Sequence, residues 1–330
     1  MSYETRIMVG LAFISLPTIA FGGYFLLSIL KRAAGTEGIT ETQRDYFRAG
    51  HAHAGVLVLL GIVGQLFLDR SKLDGAVVWA LRFGLIAAPL LIHRPGGPAA
   101  PLVFDSPHSG IEYPPDFSPA ASRREIATTW DAHVDALFRG VTEAGAVLLA
   151  ATFPRAYLDA NRAAEDIDPE LLDAPWPGPV ALSDHARRGM GLIRRYALPG
   201  VPMYHRRLTV EEVRRRIDGY HRPYREALGR EIEAACGRHG RVWHFNCHSM
   251  KSRGNAMNTD AGRPRPDLVI GDRDGTSADP AVTRWVADHF TALGYRVAVN
   301  DPYRGADIVR AHGDPSRGDR KSTRLNSSHI

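Results

Sequence analysis

The chain has 330 residues, enough for one large domain or two ordinary ones, and 44% hydrophobic with 23% charged residues is ordinary for a folded protein. A formal charge of +5, with basic residues scattered along segments such as 213–230, reads as solvated helix faces and excludes a dedicated nucleic-acid surface. The two cysteines, Cys236 and Cys247, make neither a CxxC metal pair nor a secreted disulfide framework, which points to a reducing compartment.

Residues 7–30 are 24 positions without a charge, longer than a bilayer span requires, and lack the small-residue cleavage site of a signal peptide. Residues 49–68 form a second uncharged run, and 75–92 a third with Arg82 at its centre. Two or three transmembrane helices are therefore expected over residues 1–92. Lys31, Arg32, Arg44 and Arg48 in the first loop outweigh Arg70 and Lys72 in the next, which places that loop in the cytoplasm. With three spans, the rest of the chain is cytoplasmic as well. His51 and His53 stand two residues apart, a spacing that cannot put both on one helix face, so the interface suits them better than a metal or haem.

Residues 93–100 read as a Pro/Gly linker. Beyond them strands and helices alternate, the pattern of a layered α/β domain. Strands are expected at 102–104, 146–151, 242–247, 268–270 and 296–299. Helices are expected at 122–143 and 209–239, the second opening with Thr209 and Glu212 in capping-box spacing and bending at Pro223. Asp279-Pro280 begins a further helix that Gly294 ends. Residues 320–330 show neither an apolar period nor a strand pattern.

His108 and His248 each stand just past an apolar strand-like run, where an open α/β sheet gathers its chemistry. Two such histidines suit a zinc site with three protein ligands. Asp131 and Asp135, four apart on one expected helix face, and Glu112 are the candidates for the third ligand, of which Asp131 is chosen. Arg155, Asn161 and Arg162 leave the end of a strand, and arginine suits bidentate carboxylate recognition. Arg273, in a Gly/Asp turn, is a weaker candidate for a second carboxylate, with a tight-turn role as the equal alternative.

Asp105-Ser106-Pro107-His108-Ser109-Gly110, the segment from Phe153-Pro154-Arg155 to Asn161-Arg162, Gly271-Asp272-Arg273-Asp274-Gly275 and Asn300-Asp301-Pro302-Tyr303 together resemble the N-formylglutamate amidohydrolase family, over residues 94–319. The resemblance implies a three-layer α/β/α sandwich around a mixed sheet, similar to zinc carboxypeptidases. It also implies zinc-dependent hydrolysis of N-formyl-L-glutamate to formate and L-glutamate, the last step of histidine breakdown. Asn161-Arg162 is similar to the carboxylate-binding Asn-Arg pair of those peptidases. The HxxE signal of that wider group is absent, since Ile111 stands at its place. Other readings are a deacylase of another N-acyl amino acid and a membrane protein with a non-catalytic ligand-binding domain. Family members lack the hydrophobic N-terminus and end in a strand bearing a Glu, the expected general base. Residues 321–330 instead resemble a translated sequencing adapter. The sequence thus reads as a joined reading frame, with an amidohydrolase domain at 101–319 that lacks its last strand and the expected general base, so that a loss of activity is among the expectations for the chain as written. Written as one chain, it is expected at the membrane with its hydrolase domain on the cytoplasmic side, and the hydrolase domain alone is expected in the cytoplasm.

Overall fold

The computed structural model describes residues 89–314 and the backbone of 320–327. The expected spans at 7–30 and 49–68, most of 75–92, and the pair His51 and His53 lie outside those residues. Among the described residues no helix is long and apolar enough to cross a membrane.

The core is a mixed sheet built from β1 (Leu90–His93), β2 (Leu102–Ser106), β3 (Val147–Ala151), β6 (Val242–Ser249), β7 (Leu268–Gly271), β8 (Val297–Val299) and β9 (Arg320–Ser327). Its strand order is β1-β3-β2-β6-β9-β7-β8, and the short strands β4 (Tyr196–Leu198) and β5 (Val201–Pro202) pair separately. β3, β2 and β6 run parallel, so their C-terminal ends lie together. β3 is Val-Leu-Leu-Ala-Ala and buried throughout, as a central parallel strand should be.

Two boundary expectations are corrected. Residues 90–92, assigned to the end of a third span, belong to edge strand β1, antiparallel to β3 with Leu90 opposite Ala151 and His93 opposite Leu148. Four apolar residues at the start of a domain satisfy an edge slot as well as the end of a helix does. The chain then leaves the sheet, and Arg94 grips Glu231 through two hydrogen bonds of 2.8 and 2.6 Å. The tail, expected to lack a strand, supplies β9, parallel to β6 and antiparallel to β7. A slot flanked on both sides is defined by backbone pairing, which asks for no apolar alternation. No Asp or Glu occurs in Arg320–Ser327.

Alternation along the strands sends Val103 and Val242 into the main apolar core, and Phe245, Leu268 and Ile270 into a second, smaller cluster. Helix α5 (Arg222–His239) packs on β2, β3 and β6. Its leading helix α4 (Val210–Arg216) has the capping box expected of Thr209 and Glu212. The bend expected at Pro223 appears as a π-turn over Ile217–His221. Pro223 has no N–H to give and its ring crowds the carbonyl one turn back, and widening the turn relieves both. Helix α6 (Pro280–Ala292) is capped by Asp279, and Gly294 turns the chain at φ 91°.

The single helix expected over 122–143 is broken. Helix α1 (Arg123–Ala127) ends where the Thr128 and Thr129 hydroxyls bond back to the Glu125 and Ile126 carbonyls. Helix α2 (Val134–Leu137) starts anew after His133, whose φ is 58°. The break frees the Asp131 N–H to bond the His108 carbonyl at 3.2 Å, so Asp131 and Asp135 do not share a helix face.

Candidate active site

The loop after β2 carries His108 and is pressed against the end of β3. A Cβ on Gly110 would lie 2.3 Å from the Thr152 carbonyl carbon, so only glycine permits this approach. His248 lies near the end of β6, and Asp131 enters from the broken helix. All three are buried, and one ligand atom from each lies within 4.8 Å of the others. Glu112 is exposed and Asp135 half-buried, and neither joins the group.

The hydrogen bonds fix which nitrogens face inward. His108 Nε2 meets the Asp159 carboxylate at 2.7 Å, and a carboxylate only accepts, so Nε2 carries the proton. For His248 the chain of reasoning is longer. Asn246 Nδ2 donates to both oxygens of Asp105, at 2.9 and 3.1 Å, which makes Asn246 Oδ1 an acceptor. His248 Nε2 lies 2.7 Å from that Oδ1 and 3.0 Å from the Asn161 Nδ2; the shorter contact is to an acceptor, and we assign the Nε2 proton to it. Both Nδ1 atoms therefore turn toward Asp131 Oδ2, at 3.3 Å from His108 and 2.9 Å from His248. Three lone-pair atoms converge on a space that demands a cation: a proton on a ring nitrogen, or a metal ion in its place. This donor set fits zinc.

Burial alone would raise the Asp131 carboxyl, yet the charge and hydrogen bond of His108, with His248 and Arg155, hold it well below the usual range. Asp159 is likewise buried and is held low by His108 and Arg155. Arg155 bonds Asp159 at 2.7 Å and Asp131 at 3.5 Å. Behind His248, burial of Asp105 is outweighed by His244, Asn246 and Tyr224, and its carboxyl is also held low.

A cavity of about 670 Å³ opens from Asp131, with Arg155 and Arg162 in its wall. Arg162 donates Nε to the Met190 carbonyl at 3.2 Å and has no carboxylate partner among the described residues. Asn161, expected to touch substrate, does not line the cavity. It is buried, its Nδ2 reaches Asn246 Oδ1 at 3.0 Å, and its Oδ1 accepts the Ile308 N–H. Arg273 is also off the cavity. It sits in a tight turn at φ 55° with its guanidinium on the Gly305 carbonyl. Asp159, Asn246, Asp105 and Arg194 were not assigned roles from sequence, although Asp105 and Asp159 fall inside the recognised motifs.

The sequence model described as N-formylglutamate amidohydrolase matches residues 100–321. The chain belongs to that family. It is 27% identical over 223 residues to the N-formylglutamate deformylase of Pseudomonas putida, covering 66% of this chain and 76% of the relative. The crystal structure of N-formylglutamate amidohydrolase from Ralstonia eutropha superposes with a TM-score of 0.69 at 42% identity, covering 74% of this chain and 87% of that one. A gene product of Agrobacterium tumefaciens at 19% identity and TM-score 0.50 shares the fold, covering 73% and 85%. This membership makes the protein a hydrolase, built on a mixed α/β fold.

Proposed function

We propose that the protein cleaves the formamide bond of N-formyl-L-glutamate, releasing formate and L-glutamate, with a zinc ion held by His108, Asp131 and His248. The observation that carries this reading is the convergence of two imidazole Nδ1 atoms and one ionised carboxylate at the inner end of a cavity whose wall carries unpaired arginine. When bound, zinc supplies Lewis-acid polarisation of a carbonyl and lowers the pKa of water toward neutrality.

The remaining chemistry belongs to the chain. Asp159 and Asn246 each fix one imidazole in the tautomer that presents Nδ1. Arg155 spans Asp131 and Asp159 and keeps both ionised. Arg162 offers a planar fork to a substrate carboxylate. Because Asp131 and Asp159 are held strongly ionised, they are weak proton acceptors near neutral pH and serve as charge partners.

The test is formate release by the zinc-reconstituted full chain, comparing N-formyl-L-glutamate with N-acetyl-L-glutamate. Preference for the formyl compound is expected. Preference for the acetyl compound would move the reading to a deacylase of another N-acyl amino acid. Tight binding of these acids without turnover of either would make the domain a ligand-binding one.

A further inference from the structure

We propose that Arg194 is the specificity residue that receives the side-chain carboxylate of the substrate, opposite the carboxylate held by Arg162. The proposal rests on the dicarboxylate reading above and names a residue for it.

The cavity wall holds several cations, and most are accounted for within the protein. Arg155 is paired with Asp159 and Asp131. Arg265 forks onto Asp260 through bonds of 2.6 and 2.8 Å. Lys251 and Arg253 are exposed. Two arginines are left. Arg162 and Arg194 both line the cavity, and neither makes an ion pair with a carboxylate among the described residues, although Asp159 acts on both through its charge. Arg194 is only 7% exposed, so its charge is enclosed and has no carboxylate at ion-pair distance.

The loop between α3 (Asp184–Arg187) and β4 explains how this arises. Met190 and Arg194 form an antiparallel bridge that draws the loop into a tight hairpin. Arg162 donates Nε to the Met190 carbonyl, and Arg194 aims Nε at the Tyr196 carbonyl, 3.4 Å away. Both guanidiniums are thus steered by one loop through Nε, which leaves their terminal nitrogens for the cavity. Neighbouring Arg195 turns the other way and is neutralised by Asp168 and Glu170. Consecutive arginines therefore have opposite fates: one is paired outside the cavity, the other is unpaired on its wall.

An enclosed, unpaired guanidinium is costly unless an anion arrives. Burial, with Arg155 and Arg162 close by, outweighs the pull of Asp159 and Asp131 and pushes Arg194 down to about 9, and burial pushes Arg162 down as well. Two anion vacancies in one wall match two carboxylates on one ligand. Arg194 acts on Lys251, which is exposed, and is itself acted on by Arg155, Asp159 and Asp131 at the inner end, so it stands between the metal-binding group and the mouth. The side-chain carboxylate, the one farther from the scissile bond, is assigned to this position. Arg273, the second carboxylate partner expected from sequence, is replaced by Arg194.

The experiment is calorimetric titration of the full chain with L-glutamate and with L-glutamine, which differ only in the side-chain charge. Wild type should favour glutamate by about tenfold or more, the usual scale of a charge-assisted pair. In Arg194→Gln that preference should shrink to within about threefold, with glutamine affinity nearly unchanged. Arg194→Lys, which keeps the charge and the fold but loses the fork, should lie between. Arg273→Gln should behave as wild type. If wild type itself fails to favour glutamate, the dicarboxylate reading falls and the proposal with it. If wild type does favour glutamate but both Arg194 variants keep the full preference, or lose affinity equally for both ligands, Arg194 is not the reader and the functional reading stands without it.

Discussion

Replacing Asp105 by Asn tests whether the geometry behind the histidines matters as argued. Asp105 is fully buried and accepts from Asn246 twice, from His244 at 2.8 Å and from the Tyr224 hydroxyl at 2.8 Å. An amide keeps one accepting oxygen and brings two N–H donors into a space that already holds donors. Losing about two charge-assisted hydrogen bonds costs roughly 3–5 kcal/mol, so the variant should melt well below wild type. The second effect is more specific. Facing an amide, Asn246 loses both bonds that hold its Nδ2 on Asp105 and keeps only the Asn161 donor at 3.0 Å against turning over; in the turned orientation its Nδ2 points at His248 Nε2. His248 would have to move its proton to Nδ1, the atom aimed at Asp131 Oδ2. Zinc affinity should therefore fall by about 10–100-fold although no ligand has been touched. Competition against a chromogenic chelator on the full chain reads this directly, with near-ultraviolet circular dichroism as the control for folding. A folded Asp105→Asn variant that binds zinc as tightly as wild type would refute the tautomer argument.

His108→Ala and His248→Ala should each lose stoichiometric zinc by elemental analysis, since two remaining ligands hold zinc poorly; full occupancy in either would remove that residue from the site. Arg162→Lys keeps the charge but not the planar fork, and binding of dicarboxylates should weaken by roughly 1–3 kcal/mol, against an unchanged affinity if the side chain does not touch the ligand. Asp105, Asp131 and Asp159 are held below the usual carboxylate range in the fold. The stability they contribute is complete above about pH 5, a unit above the unfolded value, and is lost as pH falls from there toward their folded values. Denaturant midpoints should thus hold from neutral pH down to about pH 5 and drop in stronger acid, and a flat profile through that acid range would contradict the assignment.

Much of this site was legible because strand ends leave a local signature. An apolar run followed by Pro107-His108-Ser109-Gly110, or by Cys247-His248, announces both the element and the place where its side chains become available. Asp131 was chosen in part on a helix face that the fold does not form. The pattern over 122–143 suits a continuous helix, and nothing in its period reveals that Thr128 and Thr129 bond backward to end it early. Arg273 was a candidate because it lies in the family motif at 271–275, where a tight-turn role was an equal reading. Its left-handed backbone ties the guanidinium to Gly305. Arg194 was invisible for the opposite reason. It sits among many arginines in a loop without period, and only the fold separates the unpaired one from its paired neighbour Arg195. The partner shell of Asp159, Asn246 and Asp105 depends on contacts between strands, which no single-segment pattern encodes.

The unpaired arginines also imply a trade between stability and recognition, which a thermal melt can read without any turnover. With its folded pKa pushed to about 9, below that of an exposed guanidinium, Arg194 binds its proton less readily folded than unfolded. The sign follows from linkage. A base with a depressed folded pKa destabilises the fold while the pH is below that value, and the penalty fades as pH rises through the window above it. At pH 7 the whole penalty is in place. Arg194→Gln removes the charge and leaves a shorter polar group to be accommodated, so a net gain of about 1–3 kcal/mol is expected. In a domain of this size that raises the midpoint of the unliganded protein by roughly 2–4 °C per kcal/mol. Ligand should reverse the order. Saturating L-glutamate at about a hundred times its Kd adds about 2.7 kcal/mol to wild type and far less to the variant. A variant less stable than wild type without ligand would mean that Arg194 is held by the protein's own charges, leaving no vacancy for a carboxylate to fill.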